Sequence, residues 1–521
     1  MGKEAIDVQQ TVTNKGGSAE CSNFNDSVQE FYSDTKILVT GATGFIGKAL
    51  VEKLLRSCVN IHTIYLLIRP KKGMSTEVRH AKLLTSSIFD LIRENNQSLL
   101  KKLVTIHGDV TEPNLGLSES DRQMLIEEVD VVFHSAATVR FNEKMKDAVT
   151  LNTLGTVKVL QLCREMKKLK ALVHVSTAYS NADKQEILET VYPTPAQLDD
   201  VLKYCEEEEC AGGDGKCTKL LGKHPNTYTM TKAMAEYIIS NQAGDLPVCI
   251  VRPSIVTGSW KEPKPGWVDN ISGISGIMIE IGRGTLRSII CDEELIMDVI
   301  PVDIVVNTLI TAAWQTARHR MKNVQVYNCT SGTINPIKWH EYGRITEKYV
   351  LEMPSKYVQW YPGFSFRTNR LVHAIVECFL HFLPALMIDM ILISRGTKPI
   401  MFKIARTFKK ACKNGEFFAL HEWKYQCDNM VKLNQEILRH SDKVEFNIDV
   451  GKIDWDDYIK NYVMGLRKYV LKDADNTLGS ARKKLKRLYW GTKIFRVCAV
   501  FVLWKMLDLR WIASPFVNLF P

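Results

Sequence analysis

A glycine-rich turn between an apolar run and an amphipathic segment constrains the fold of this chain more than any other feature. The stretch reads Lys36-Ile-Leu-Val-Thr-Gly-Ala-Thr-Gly-Phe-Ile-Gly-Lys-Ala-Leu50. Its run from Ile37 to Val39 is β-branched and aliphatic, which is typical of a buried parallel strand. The glycines then follow at three-residue spacing, at Gly41, Gly44 and Gly47. A helix is predicted next, over Lys48 to Arg56, because its apolar residues fall on one side.

This strand, turn and helix supply what a dinucleotide pyrophosphate needs. The first glycine permits a tight turn, the second lets the backbone approach a phosphate, and the third lets the helix pack closely on the strand. The helix N-terminus adds unpaired N–H groups and a partial positive charge. The phosphate-binding loop of NTPases is excluded, because that loop has four residues between its glycines and Ser or Thr after its Lys. Here five residues separate Gly41 from Gly47, and Ala49 follows Lys48.

The residue that ends the second predicted strand bears on the choice between NAD(H) and NADP(H). This strand, Thr63 to Arg69, ends about twenty residues beyond the glycines, where an NAD-binding fold places Asp or Glu on the ribose 2′-hydroxyl. The chain has Arg69 there, with Lys71 and Lys72 just after it. A guanidinium pairs with a 2′-phosphate, so the sequence favours NADP(H). The alternative, that Arg69 is a solvated loop cation, stays open.

Further apolar runs predict more strands, separated by helical stretches such as Leu151 to Lys167. These runs are Val104 to Asp109, Val129 to Ala137, Ala171 to Thr177 and Val248 to Pro253. Strands that alternate with helices predict an α/β fold, a doubly wound parallel sheet that binds ligands beyond the carboxyl ends of its strands. At those ends, Asp109 suits an adenine amine, and the small residues up to Ala137 let the backbone crowd a cofactor.

Two elements carry residue types suited to proton and hydride chemistry. Ser176 and Thr177 end the fifth predicted strand, and Tyr228-Thr-Met-Thr-Lys232 opens a predicted helix. Tyr228 and Lys232 share a helix face because they are four residues apart. An ammonium beside a phenol favours phenolate, so Lys232 is expected to lower the pKa of Tyr228. Such a Tyr can give a proton to an oxygen that gains charge as hydride reaches its carbon, while Thr177 or Ser176 holds that oxygen.

Short motifs accompany these elements over roughly residues 31 to 473. In the first part they are Phe31 to Lys48, Val132 to Ala137, Asn152 to Thr156, His174 to Tyr179, Tyr228 to Lys232, Arg252 to Ser254, Pro265 to Asp269 and Pro301 to Asp303. Later ones are Glu445 to Asp449, Ile453 to Tyr458 and Gly465 to Tyr469. With them the chain resembles the extended short-chain dehydrogenase/reductases, and more closely the animal fatty acyl-CoA reductases. The acidic insertion around Cys205 to Cys217 and the basic tail do not match the family pattern.

The resemblance implies an NADPH-dependent reduction of long-chain acyl-CoA to a primary alcohol, through an aldehyde, with release of CoA and without a metal. It implies catalytic roles for Thr177, Tyr228 and Lys232, with Ser176 as the alternative to Thr177. The cofactor-binding positions that it implies are Thr40, Gly41, Thr43, Gly44, Phe45, Ile46, Gly47, Arg69, Asp109, Val110, Ala136, Lys232, Pro253 and Ser254. Ile271 to Ile281, with the C-terminal domain, is the stretch suggested for an apolar acyl channel.

The composition limits the kinds of binding partner and the cell compartment that are expected for this chain. The net charge of +10 suits CoA phosphates or an anionic membrane, and nucleic acid ranks last because the chain has no zinc-finger spacing, RNP-like motif or basic recognition helix. The 13 cysteines are scattered and the first thirty residues are polar, so reduced thiols facing the cytosol are expected. Cys205, Cys210 and Cys217 match no firm zinc pattern, and a surface loop is expected there.

A chain of 521 residues is expected to form two domains with tails. The predicted units are a disordered tail over 1–30, an NADP-binding reductase domain over 31–345, a smaller and mostly helical C-terminal domain over 346–475, and a membrane-associating tail over 476–521. Oligomeric state is left open, a homo-oligomer included.

Two segments bear on a membrane. Leu371 to Ile393 is long enough to span a bilayer, but Glu377, Pro384 and Asp389 are costly at its centre, so a span and a buried or interfacial helix pair both stay open. Ile494 to Met506 follows a cationic stretch and fits an amphipathic anchor or a short hairpin. We expect a cytosol-facing, membrane-associated protein, at the endoplasmic reticulum as its relatives often are, with the peroxisome as the alternative.

Other functions share parts of this pattern. A steroid dehydrogenase or a sugar-nucleotide epimerase would carry similar glycines, Tyr and Lys, although Arg69 disfavours an NAD-dependent epimerase. An acyl-CoA reductase that stops at the aldehyde is not distinguished by the sequence. A non-enzymatic nucleotide-sensing scaffold is disfavoured, because Tyr228, Lys232 and the Ser-Thr pair are all present.

Overall fold

The computed structural model describes residues 27–71, 73–194, 196–210, 218–321 and 323–517, without the side chains of 208–210, 218–219, 503 and 506–517. The described strands are β1 (Lys36–Thr40), β2 (Thr63–Ile68), β3 (Leu103–His107), β4 (Val131–His134), β5 (Ala171–Val175), β6 (Glu186–Ile187), β7 (Val248–Pro253), β8 (Ile255–Thr257), β9 (Ser288–Ile290), β10 (Val299–Pro301), β11 (Gln325–Cys329), β12 (Ser365–Arg367) and β13 (Lys424–Tyr425). The described α-helices are α1 (Val28–Phe31), α2 (Phe45–Ser57), α3 (Thr76–Leu84), α4 (Asp90–Asn95), α5 (Glu119–Glu128), α6 (Met145–Ala148), α7 (Gly155–Glu165), α8 (Leu198–Cys210), α9 (Thr218–Leu221), α10 (Thr227–Gln242), α11 (Ile274–Arg283), α12 (Val302–Arg318), α13 (Trp339–Glu352), α14 (Arg370–Glu377), α15 (Leu383–Ser394), α16 (Met401–Ala419), α17 (Asp428–Ile437), α18 (Trp455–Gly465) and α19 (Leu478–Val517).

The central sheet has seven strands in the order β11-β7-β5-β4-β1-β2-β3, and every pairing is parallel. Both faces are covered, because Ile37 and Val39 of β1 belong to one buried apolar cluster and Leu38 between them belongs to another. The strand order reverses at β1, which lies between β2 and β4. Such a reversal opens a ligand crevice beyond the carboxyl ends of the strands. The predicted doubly wound parallel sheet is confirmed.

The sequence predicts six of these strands and misses β11 at one edge. The run Gln325–Cys329 is short, and it mixes polar and apolar residues. It is a strand because it pairs in parallel with β7, which is far away in the sequence. A local pattern does not report such a pairing.

The C-terminal region is helical, as predicted, and it packs on the reductase fold in one continuous apolar cluster. The Tyr458 hydroxyl of α18 donates to the Gly258 carbonyl at 2.7 Å. The fully buried Lys53 of α2 donates to a carboxylate oxygen of Glu445 at 2.9 Å. The predicted boundary at 345/346 falls inside α13. The division into domains therefore stays a prediction.

Two predicted irregular segments are ordered where the structure describes them. Residues 1–26 of the predicted tail lie outside the described residues, but α1 is helical, and the backbone N–H of Gln29 donates to Asp442 at 3.1 Å. The stretch around Cys205 is the helix α8 and not a loop, and Cys205 is buried beside Met234. Residue Cys217 lies outside the described residues.

Candidate active site

The glycine turn after β1 has the shape that a pyrophosphate requires. Gly41 has a φ of +75°, and a Cβ there would lie 2.7 Å from the Ala136 nitrogen. A Cβ at Gly47 would lie 2.3 Å from the Gly41 carbonyl oxygen, so only glycine lets α2 pack on the turn. Gly44 is the N-cap of α2 and offers no side-chain cap. The first N–H groups of α2, at Phe45 and Ile46, are thereby left for a ligand, and the residues present fit a dinucleotide.

The buried Thr40 side chain supports this turn through contacts within the protein. Its hydroxyl lies 2.8 Å from Nδ1 of His134, and it accepts a hydrogen bond from the Ala136 nitrogen at 3.3 Å. Thr40 is fully buried, and burial lowers the pKa of His134 to about 3. The neutral imidazole therefore ties the ends of β1 and β4 together. Thr40 was predicted as a cofactor contact, and we interpret it as a positioning residue.

Arg69 and Asp109, which follow β2 and β3, form an ion pair at 3.2 Å. A third residue, Arg79 of α3, joins them: its guanidinium donates to the Arg69 carbonyl and, at 2.7 Å, to the Thr43 hydroxyl in the glycine turn. Arg79 is not predictable from the sequence, because a basic residue on an amphipathic helix carries no signal of its own. Lys72 lies outside the described residues.

The remaining predicted cofactor positions lie at neighbouring strand ends. Pro253 ends β7, and Ser254 follows it and is buried. The Val110 side chain is buried, and it would be 3.3 Å from a Cβ at Gly155, so it packs against α7. A ligand can therefore meet Val110 only through its backbone.

Tyr228, Lys232 and Thr177 meet at the carboxyl end of β5. Asn226 caps α10 by accepting from the Thr229 nitrogen at 2.9 Å, and this places Tyr228 in the first turn. The half-buried Tyr228 hydrogen-bonds with the Thr177 side chain. One turn later the buried Lys232 ammonium donates to the Val175 carbonyl at 2.7 Å. The structure thus brings the three predicted residues together.

Burial, and not the lysine, dominates the ionisation of Tyr228. Loss of solvent raises the pKa of Tyr228 to about 12, and the hydrogen bond with Thr177 opposes this rise. Burial also lowers the pKa of Lys232 to about 8, while Glu236 acts in the opposite direction. The prediction that Lys232 brings the pKa of Tyr228 down is therefore wrong for this structure. Tyr228 is a protonated phenol at neutral pH, which is the form of a proton donor.

Ser176 takes part in a different, fully buried network. Its hydroxyl donates to Glu236, and the Arg252 guanidinium pairs with the same carboxylate at 2.7 Å. Arg252 also donates to the carbonyls of Leu188 and Thr190, so the buried charges are well satisfied. Ser176 holds α10 against β5 and β7, and Thr177 is the hydroxyl that remains beside Tyr228.

A π-helical turn over Val149–Leu154 positions Asn152 under the site. The Asn152 amide accepts from the Thr138 nitrogen at 2.9 Å and donates to the Thr231 hydroxyl at 3.0 Å. It therefore connects the loop after β4 to the residue before Lys232. The sequence motif contained Asn152 but gave it no role. π-turns are frequent at functional sites, but their register is not readable from a sequence.

Comparison with known proteins agrees with this geometry. Two family models, each described as male sterility protein, match residues 39–309 and 380–473, and the first is an NAD-binding model. Fatty acyl-CoA reductase 1 of Rattus norvegicus is 40% identical over 484 residues, which are 93% of this chain and 94% of the relative. The chain belongs to the fatty acyl-CoA reductase family. Fatty acyl-CoA reductase 2 of Mus musculus is 37% identical to this reductase over 93% of this chain and 94% of its own length.

Solved structures share the fold of this reductase. The reductase (R) domain of a nonribosomal peptide synthetase from Mycobacterium tuberculosis superposes with a TM-score of 0.56 and 18% identity, over 84% of this chain and 92% of that one. The terminal R domain of the myxalamid pathway gives a TM-score of 0.54 and 20% identity, over 84% and 91%. The fold and the NAD-binding family model agree on a nicotinamide cofactor.

Proposed function

We propose that this reductase converts a long-chain acyl-CoA into a primary alcohol and free CoA, by two hydride transfers from NADPH through an aldehyde. The observation that carries the proposal is the meeting of Thr177, Tyr228 and Lys232 at the same edge of the parallel sheet as the glycine turn. The family supports the acyl-CoA substrate, since the relatives that match over 94% of their length are named fatty acyl-CoA reductases.

NADPH, when bound, would supply one hydride in each of the two rounds. Addition of the first hydride to the thioester carbon would leave a negative charge on the former carbonyl oxygen. Tyr228 and Thr177 stabilise this oxyanion by hydrogen bonds, the largest kind of contribution to acyl-transfer chemistry. Collapse of the resulting hemithioacetal breaks the C–S bond and expels the CoA thiolate. The aldehyde carbon takes the second hydride, and Tyr228 gives its proton to the alkoxide.

Lys232 has a supporting role in this proposal. Its ammonium is anchored by the Val175 carbonyl one helical turn from Tyr228. From there its ammonium can hold the cofactor ribose by donating hydrogen bonds to the ribose hydroxyls. Tyr228 recovers its proton before the next turnover, since its pKa of about 12 keeps the free site protonated.

We also propose NADPH over NADH, on the strength of the two guanidiniums near the glycine turn. Arg69 alone is weak support, since it is half exposed and paired with Asp109. Arg79 adds a second cation, which contacts Thr43. Two guanidinium groups therefore lie in the region where this fold places the 2′-phosphate of the adenosine ribose. Bidentate recognition of phosphate is the use for which Arg is best suited.

The stoichiometry of NADPH oxidation tests the reaction. We expect the purified, detergent-solubilised protein to oxidise two NADPH for each alcohol formed from palmitoyl-CoA, with NADPH followed by absorbance and products by gas chromatography. One NADPH for each aldehyde would instead show a reaction that stops after the first round. No turnover of any acyl-CoA, despite tight NADPH binding, would contradict the proposal and favour a steroid or sugar-nucleotide substrate.

We further propose that α14, α15 and α16 attach this reductase to the cytosolic face of a membrane, the endoplasmic reticulum being our choice. Among the described residues, one helix, Arg370–Ser394, is long and apolar enough to cross a membrane. Only 17% of its apolar 18-residue segment is buried inside the protein. Its carboxylates are satisfied without water, because Glu377 pairs with Lys409, and Asp389 accepts from the Ile400 and Phe402 nitrogens at the start of α16. This pairing supports a hairpin lying in the interface over a lone span.

Exposed apolar side chains on both segments support the attachment. On α14, α15 and the π-turn between them they are Leu371, Ile375, Phe379, Leu380, Leu383, Leu386, Met387, Met390, Ile391 and Ile393. On α19 they are Trp490, Ile494, Phe495, Val497, Val500, Phe501, Val502 and Trp504. Exposed cations on α16, such as Lys403, Arg406 and Lys410, suit an anionic leaflet.

A triple substitution of Phe379, Leu380 and Leu383 by Asn is expected to lower the fraction of protein that floats with phosphatidylcholine–phosphatidylserine vesicles about ten-fold, because it removes exposed apolar area from the interface. The matched control replaces three exposed apolar residues outside the hairpin by Asn, namely Val59, Met321 and Val444. Equal flotation of the two triple variants would contradict attachment through the hairpin.

A further inference from the structure

No step of the proposed reaction uses a group of aromatic rings that lies beside Tyr228, in which Tyr179 is buried and the other rings are half-buried. This aromatic cluster consists of Phe141, Tyr179, Phe417, Phe418 and Trp423. Phe141 lies 5.9 Å from the Tyr228 ring and 5.1 Å from Phe418, measured between ring centroids. Phe418 in turn lies 5.0 Å from Tyr179, which follows Thr177 closely in the chain. The cluster therefore lies against the Tyr228 ring and next to Thr177, whose hydroxyl accepts from the Tyr179 nitrogen at 3.3 Å.

The reductase fold contributes Phe141 and Tyr179 to the cluster, and the C-terminal region contributes the other rings. Hydrogen bonds hold the segments that carry Phe141 and Phe418 in place. Phe141 lies in the loop after β4, which is tied to α10 by the Thr227 hydroxyl donating to the Glu143 carbonyl at 3.1 Å. Phe418 lies in the last turn of α16, where the Asp292 nitrogen donates to the Ala419 carbonyl at 3.0 Å. Phe141 and Phe418 nevertheless keep partial exposure. An apolar wall that is held in place but left accessible beside a catalytic hydroxyl is suited to an apolar ligand.

Free space continues along α16 from this wall. Gly415 lies three residues before Phe418, so the two share one side of the helix. Gly415 is half-buried, yet a Cβ there would meet no atom within 4 Å. Glycine weakens a helix interior, and no close backbone approach requires it at this position. A larger side chain at position 415 would extend into this open space, and we interpret the space beside α16 as a groove.

Part of the stretch Ile271 to Ile281, suggested by the sequence for the acyl channel, is packed inside the protein, although Ile271 itself is exposed. Met278, Ile279 and Ile281 of α11 are buried in the main apolar cluster. The Met278 sulfur also accepts a hydrogen bond from the buried Tyr342 hydroxyl. This face of α11 is therefore already covered by α13.

We propose that the aromatic cluster and the groove at Gly415 bind the part of the acyl chain next to the thioester, and that α16 thereby selects long-chain substrates. The inference rests on the proposed function. Each methylene removed from water favours binding about four-fold, so a wall that covers several of them separates long from short chains. The C-terminal region would then contribute directly to the catalytic centre of the reductase fold.

The first test replaces Phe418 with Ala in the full, detergent-solubilised chain. We expect kcat/KM for palmitoyl-CoA to fall about 10- to 100-fold and that for hexanoyl-CoA to fall less than about three-fold, since the short chain leaves most of the wall unused. Phe364→Ala is the matched control. It removes another half-buried ring, one that lies 5.1 Å from Phe366, and it should leave both substrates unchanged.

A second variant tests the groove by filling it. Gly415→Leu should lower kcat/KM for palmitoyl-CoA about ten-fold or more and spare hexanoyl-CoA, whereas Gly479→Leu, at an exposed glycine near the start of α19, should change neither. NADPH binding, followed by nucleotide fluorescence, should be the same in every variant.

The outcomes separate this inference from the proposed function. If the unaltered protein reduces no acyl-CoA, the proposed function fails. If it reduces both substrates, but Phe418→Ala and Gly415→Leu lower both equally or neither, the reaction stands and the acyl site is elsewhere. A selective loss of palmitoyl-CoA in both variants supports the site.

Discussion

Replacing Tyr228 with Phe is expected to lower kcat about 10²- to 10⁴-fold and to leave NADPH binding nearly intact. The substitution removes the hydroxyl that hydrogen-bonds with Thr177 and, in our proposal, gives the proton. It keeps the ring that packs 5.9 Å from Phe141, so the site should hold its shape. A fall in kcat at constant affinity for the cofactor is the signature of an interaction made in the transition state.

The measurement is kcat with saturating palmitoyl-CoA and NADPH, together with NADPH binding by nucleotide fluorescence. Tyr237→Phe is the matched control, because Tyr237 is another half-buried tyrosine of α10 and lies outside the site. Tyr237→Phe should turn over normally. Normal turnover of Tyr228→Phe would show that a different group supplies the proton.

Replacing Arg79 with Gln is expected to lower the preference for NADPH over NADH about 10- to 100-fold, because a hydrogen-bonded ionic contact to the 2′-phosphate is worth about 1.5–3 kcal/mol. Arg79 also donates to Thr43 of the glycine turn, so the substitution can disturb the binding of both nucleotides. The ratio of the two kcat/KM values separates these effects, since NADH has no 2′-phosphate.

Arg79→Lys is the control for charge. This variant keeps the positive charge but loses the planar guanidinium. Its preference for NADPH over NADH should therefore fall between those of the unaltered protein and Arg79→Gln. If Arg79→Gln lowers kcat/KM for NADPH and NADH by the same factor, Arg79 only supports the glycine turn, and the proposal that it binds the 2′-phosphate is wrong.

The fold was predictable wherever the signal was local. The glycines of the first turn and the Tyr228–Lys232 spacing depend on residues within one turn or one helix, where steric rules and periodicity act directly. The run from Ile37 to Val39 predicts β1 for the same reason. Arg79, by contrast, contributes through a contact between α3 and the glycine turn, and no local pattern reports a contact of that kind.

The ionisation of the site was not predictable. The spacing of Tyr228 and Lys232 suggested a lowered pKa for the phenol, but the direction depends on how much solvent the fold removes from Tyr228. The choice between Ser176 and Thr177 was likewise left open by the sequence. It depends on the buried Glu236 and Arg252, which occupy the Ser176 hydroxyl.

Local patterns in the sequence were sufficient to predict the class of fold, the nucleotide-binding turn and the candidate catalytic residues, with Ser176 and Thr177 as alternatives, because each pattern depends on residues that are close together in the chain. The tertiary structure alone decided that α16 reaches the site, that Phe418 stands beside Phe141, and that Gly415 borders open space. These placements join residues that are hundreds of positions apart in the sequence. Their geometry follows from the packing of whole helices, and that packing is a property of the complete chain.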